Sequence, residues 1–205
     1  MIVKVCGMCE EANIRAVERL GADWMGFIFY PKSPRYAGET LSCIPEKVKR
    51  VGVFVNEDTG RLLASAERNR LDALQLHGDE SPGDCRALRK KDFMVIKSFG
   101  ITAGKPFPSA LTERYDDGCC DCFLFDTRTP LHGGSGKKFD WELLSDYRGE
   151  TPFLLSGGIS PGDAEAVKAF SHPKYIGIDL NSGFEISPGV KNVPLLQAFM
   201  EQLSR

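Results

Sequence analysis

The chain has 205 residues, a length that suits one domain able to bury well over half of its unfolded surface without disulfide staples. Lys and Arg number 26 against 28 Asp and Glu, with no like-charge block, so a nucleic-acid footprint is excluded. No apolar run approaches the roughly 18 residues of a membrane span, and the opening MIVKVCGM lacks the apolar core of a secretory signal. The expected location is the cytoplasm, where seven cysteines would stay reduced. Cys43, Cys85, Cys119, Cys120 and Cys122 read as small buried hydrophobes.

Eight short apolar runs follow one another: residues 2–6, 24–29, 51–55, 73–76, 94–98, 122–126, 153–156 and 175–179. Runs apolar throughout belong to parallel sheets covered on both faces. Helical patterns lie between them. Residues 10–20 put Ile14, Val17 and Leu20 on one stripe that ends at Gly21. Residues 57–68, 81–91, 161–170 and 193–203 read similarly. A short helix is expected over 45–50, and only a stub over 109–115, because Pro106 and Pro108 precede it. Alternating strands and helices imply right-handed crossovers, and eight units of roughly 26 residues close a single (β/α)₈ barrel, an α/β fold spanning 1–205. An open doubly wound sheet would want a Gly-rich first turn, and Cys6-Gly7-Met8-Cys9 is not one.

Barrel active sites lie at the C-terminal ends of the strands. Gly157-Gly158, before a helix starting near Ser160, and Asn181-Ser182-Gly183 follow the seventh and eighth strands. Glycine lets backbone N–H groups approach an anion, so these turns read as a phosphate site. Gly133-Gly134-Ser135-Gly136 reads as a polar flap. Cys6 and Asp126 are the acid–base candidates. The positive end of a helix starting near Glu10 would lower the Cys6 pKa, and desolvation would raise that of Asp126. The alternatives are a buried thiol for Cys6 and a helix cap or loop ion pair for Asp126. Cys6-x-x-Cys9 also admits a redox dithiol or half of a metal site. No second pair completes four thiolates and His132 stands alone, so neither metal nor cofactor is expected.

Ordered segments cover nearly the whole chain: Lys4-Val5-Cys6-Gly7-Met8, Gly26-Phe27-Ile28-Phe29, Ser33-Pro34-Arg35, Val51–Asn56, Gln75–Glu80, Leu124-Phe125-Asp126, Phe139-Asp140-Trp141, Ser156-Gly157-Gly158-Ile159 and Gly177–Glu185. In these the chain resembles the phosphoribosylanthranilate isomerases of tryptophan biosynthesis. The resemblance implies a cofactor-free barrel, a monomer or homodimer, acting on a small phosphorylated substrate. It implies an Amadori rearrangement with Cys6 as general base, Asp126 as general acid, and Arg35 on the anthranilate carboxylate. Gly157, Gly158, Ser182 and Gly183 would then cradle the phosphate. Asp179 is taken as a contact to a sugar hydroxyl and His77 as structural. The chain departs from the family pattern at Cys9, at Asn181 in place of a serine, and at Ser135 in place of a threonine. The histidine-pathway isomerase that performs the same rearrangement resembles an aspartate pair, against which Cys6 argues.

Overall fold

The computed structural model describes residues 1–128 and 138–204. Eight parallel strands close into a barrel in chain order: β1 (Ile2–Val5), β2 (Trp24–Ile28), β3 (Lys49–Phe54), β4 (Ala73–Leu76), β5 (Met94–Ile101), β6 (Cys122–Thr127), β7 (Phe153–Leu155) and β8 (Tyr175–Leu180). The barrel expected from the sequence is therefore the fold. Its strand runs match to within two or three residues at most ends. The flap residues Gly133–Gly136 and His132 lie outside the described residues.

The helices form where capping and pattern agree. In α1 (Glu11–Arg19), Ile14 and Val17 are buried, and Gly21 turns the chain with φ +82°. Asp58 caps α2 (Thr59–Arg68) by accepting from Gly60 N and Arg61 N. A Ser81–Asp84 capping box with Pro82 at the first turn starts α3 (Pro82–Arg89). The stub α4 (Ser109–Thr112) continues as a 3₁₀ turn over Glu113–Tyr115. The helix after β7 opens as a 3₁₀ turn, Pro161–Asp163, before α5 (Ala164–Ala169). α6 (Val193–Leu203) follows the cap Asn192.

The helix expected over 45–50 does not form. Lys49 and Arg50 open β3, pairing with Trp24 and Met25, and the Asp72 carboxylate holds the Arg50 backbone N–H at 2.8 Å and its guanidinium at 2.8 Å. Sheet pairing plus a bidentate ion pair outweighs the propensity of a segment too short to nucleate a helix. The sequence reading also lacked the hairpin of β9 (Glu185–Ser187) and β10 (Val190–Lys191), which is latched to α1 by Asn13 through Lys191 O at 2.9 Å and Lys191 N at 2.8 Å.

The apolar residues form two cores. Trp24, Val51, Ala73, Ile96, Cys122, Leu124 and Leu154 fill the barrel interior, and a larger set lies between barrel and helices. Strand alternation makes this split. In β6, Cys122 and Leu124 point inward and Phe123 and Phe125 outward, which brings Asp126 inward at the mouth. In β8, Tyr175 and Gly177 pair with consecutive residues of β7, so Ile176 is an extra residue. Such a bulge reverses which face the following residues present.

Candidate active site

At the C-terminal end of the barrel lies a cavity of about 380 Å³. Its lining includes Cys6, Arg35, Asp126, Gly157, Gly158, Asp179, Asn181, Ser182 and Gly183, every site residue expected from the sequence. Residues 175 positions apart in the chain thus share one space because the barrel closes β8 onto β1.

Cys6 follows β1, and its N–H donates to Leu180 O at 2.8 Å. Beside it, Gly26 leaves the room the thiol occupies: a β-carbon there would stand 2.6 Å from Cys6 Sγ. The electrostatic setting differs from expectation. Helix α1 begins five positions beyond Cys6, and two buried lysines take the part assigned to the helix end. Lys4 lies two residues earlier on the same strand and donates to Asp179 Oδ1 at 2.7 Å, its register partner on β8. Lys191, from β10, donates to Asn181 Oδ1 at 2.7 Å and Glu185 Oε1 at 2.7 Å. Burial pushes the Cys6 thiol above its ordinary range and Asp179 adds to it, while Lys4 and Lys191 pull it down. The net direction is upward, opposite to the lowering expected from the sequence.

Asp126 ends β6. Thr127 N donates to its Oδ1 at 2.8 Å, and His77 Nε2 is 3.9 Å from Oδ2. Burial first, then the Asp179 carboxylate, raises its pKa to about 7. This is the direction expected. The alternative of a helix cap or loop ion pair does not describe it, because the carboxyl faces the cavity. His77, taken as structural, borders the same cavity, and its Nδ1 is 3.4 Å from Gln75 Nε2.

Arg35 donates through Nε and Nη2 to Glu185, at 2.9 Å and 2.7 Å, in a bidentate pair. Glu185 also accepts from Lys191, so one carboxylate serves two cations, and Arg35 and Lys191 hold it below its ordinary range despite burial. Asp179, taken as a contact to a sugar hydroxyl, is engaged from below by Lys4 and accepts from Ser156 Oγ at 3.3 Å.

Gly157 and Gly158 have φ of +86° and +73°, the left-handed region. Gly183 sits in a 3₁₀ turn, Ser182–Phe184, so near the facing loop that a β-carbon would stand 2.2 Å from Ile159 O. The two turns therefore touch. The helix end expected to help them is already capped: Asp163 Oδ2 accepts from Ser160 N at 2.6 Å, and Lys138 pairs with the same carboxylate at 2.5 Å.

Cys9 does not line this cavity. Its sulfur lies 3.4 Å from Arg35 O and would be 2.8 Å from a β-carbon at Gly189, so it fastens the loop after β2 and the hairpin to the turn after β1. All seven cysteines are free thiols. Among the described residues no three His, Cys, Asp or Glu are grouped to hold a metal, and no helix is long and apolar enough to cross a membrane.

The family profile described as N-(5'-phosphoribosyl)anthranilate (PRA) isomerase matches residues 3–202. The chain belongs to this family. It is an isomerase of tryptophan biosynthesis. It is 50% identical to the N-(5'-phosphoribosyl)anthranilate isomerase of Parabacteroides distasonis, with 99% of this chain and 93% of that protein aligned. The crystal structure of phosphoribosyl anthranilate isomerase from Thermus thermophilus superposes with a TM-score of 0.83 at 31% identity, covering 100% of this chain and 98% of that one. Another isomerase crystal structure, in complex with reduced 1-(o-carboxyphenylamino)-1-deoxyribulose 5-phosphate, gives 0.78 at 31% identity, covering 100% and 99%.

The sequence reading missed Lys191 and the role of Lys4. A charge inside the apolar run Ile2-Val3-Lys4-Val5 was the available signal for Lys4. Lys191 carries none, since only the hairpin brings it to the cavity.

Proposed function

We propose that this barrel is one catalytic domain converting N-(5-phosphoribosyl)anthranilate to 1-(2-carboxyphenylamino)-1-deoxyribulose 5-phosphate, with Asp126 as general acid and Cys6 as general base. The carrying observation is that the thiol and a carboxyl raised to about 7 line one cavity whose rim is the paired glycine turns. Asp126, protonated near neutrality, gives its proton to the furanose ring oxygen as the C–O bond opens, leaving a protonated imine. The iminium acidifies the adjacent sugar C–H. Cys6 thiolate takes that proton, and the C–H electron pair moves to make an enolamine, which tautomerises to the ketone. Acid and base in distinct environments suit the two transfers. Gly157, Gly158, Ser182 and Gly183 offer backbone N–H groups to the phosphate, with Asn181 beside them. Glu185 engages Nε and Nη2 of Arg35, which leaves Nη1 for the substrate carboxylate. Asp179 reaches a sugar hydroxyl. None of these transfers calls for a cofactor, and the reducing cytoplasm suits a chain with seven thiols.

The test is a fluorescence assay of phosphoribosylanthranilate consumption by the purified chain without added metal or nucleotide. Turnover is expected. Complete loss on chelation, restored by zinc, would overturn the cofactor-free reading.

A further inference from the structure

We propose that Lys4 is the positioning residue that makes Cys6 usable as a base: its ammonium, held against Asp179, is the counter-ion of the Cys6 thiolate. The inference rests on the reading of Cys6 as general base.

Lys4 is fully buried inside the barrel, where an ammonium is tolerated only if its donors are satisfied. Asp179, opposite in register, takes one donor at 2.7 Å. Asp179 is itself anchored by Ser156 Oγ at 3.3 Å, which fixes the ammonium on the floor of the cavity. The ammonium also acts electrostatically on the Cys6 sulfur. Alternation of side chains along β1, continued one residue past its end, puts residues 4 and 6 on the same inward side.

The groups facing the sulfur are Lys4 on its own strand, Asp179 on β8, Lys191 on β10 and Arg35 in the loop after β2, with Glu185 bridging the last two. Three cations meet two carboxylates, which leaves an excess of one positive charge that a thiolate cancels. Lys191 and Arg35 are drawn toward Glu185, and Lys4 is the cation that acts most strongly on the sulfur. On ionisation the S–H bond breaks, its electron pair stays on sulfur, and the proton leaves to water through the cavity. Lys4 keeps its three protons: burial opposes its charge, but Asp179 and Cys6 outweigh burial and raise its pKa. It is therefore a counter-ion and not a second base.

The test follows iodoacetamide labelling of Cys6 against pH in the full chain, read by peptide mass spectrometry for wild type, Lys4→Met, Lys4→Arg and Asp179→Asn. Only the thiolate reacts, so the midpoint reports its ionisation. Lys4→Met should raise the midpoint by about one pH unit or more, a roughly tenfold slower labelling at fixed pH below it, and kcat should fall with KM nearly unchanged. Lys4→Arg should recover much of both. Asp179→Asn, which removes the opposing carboxylate and keeps Lys4, should lower the midpoint. An unchanged midpoint in folded Lys4→Met overturns the proposal. If that variant does not fold by circular dichroism, an Asp179→Asn midpoint that stays or rises overturns it instead. Labelling reads the Lys4–Cys6 coupling whether or not Cys6 is the base, while full activity of Cys6→Ser would sink the base assignment alone.

Discussion

Cys6 and Asp126 face one cavity from β1 and β6, yet their surroundings are opposite. Around Cys6 stand Lys4, Lys191 and Arg35, and these cations resist the tendency of burial to keep a thiol protonated. Around Asp126 another carboxylate, Asp179, adds to burial and keeps the proton on, outweighing Lys4. The same low-polarity space thus meets cations that oppose burial at one corner and a carboxylate that adds to it at the other. Asp179 serves both corners, as partner of Lys4 and as like-charge neighbour of Asp126. Burial raises both groups, and the difference between them comes from where the charges stand.

The sharpest way to break this comparison is to remove either proposed proton carrier. Cys6→Ser should cut kcat by about 10²–10⁴-fold, because a hydroxyl is a far weaker base than a thiolate. Alkylation should inactivate the enzyme, with substrate protecting. Full isomerase activity in Cys6→Ser would end the assignment. Asp126→Asn should lower kcat by a similar factor of about 10²–10⁴.

The Asp126 substitution also reads its environment through stability. A carboxyl raised to about 7 holds a proton in the folded chain that the unfolded chain has already released. Stability attributable to Asp126 therefore falls as pH rises from the ordinary carboxylate range through about 7, and stays low above it. Asp126→Asn abolishes that loss, so its Tm advantage over wild type should be greater at pH 8 than at pH 4, each displaced pH unit being worth about 1.4 kcal/mol. Equal Tm differences at both pH values would mean that the carboxyl is not raised.

Smaller effects sharpen the picture at the rim. Arg35→Lys exchanges a bidentate fork for a point charge. With a charged hydrogen bond worth about 1.5–3 kcal/mol, KM should rise roughly tenfold or more. A variant matching wild type would mean that Arg35 only braces Glu185. Gly158→Val places a branched side chain at φ +73° beside the proposed phosphate, so KM should rise several-fold and inorganic phosphate should compete less well than with wild type. An unchanged KM would move the phosphate elsewhere. Smallest of all is Cys9→Ser. The thiol fastens two loops outside the cavity, so kcat should stay within a few-fold. A dithiol mechanism requires both serine variants dead and a dependence on redox buffer.

The sequence carried the pattern of this protein further than its electrostatics. Eight continuous apolar runs separated by helical stripes point to a parallel sheet covered on both faces, and a first turn without the Gly-rich pattern of an open doubly wound sheet turns the choice to a closed barrel. Residues at strand ends were legible for the same reason: Cys6, Asp126, Gly157 and Gly158 sit where any barrel places its chemistry. The helix expected over 45–50 failed because Trp24 and Asp72, distant in sequence, claimed its residues for β3.

What the tertiary structure decided is the charge around the thiol. Sequence supplied a cysteine near a helix start and suggested the helix as its activator. Closure of the barrel set Lys4 against Asp179, 175 positions away, and a two-stranded hairpin carried Lys191 to Asn181 and Glu185, where its charge acts on the same thiol. Those partners depend on register and on loop path, which local pattern does not encode. Fold and site position follow from hydrophobic periodicity, a short-range property of the chain. The protonation state of a buried group follows from the sum of every nearby charge, and only the folded molecule brings those charges together.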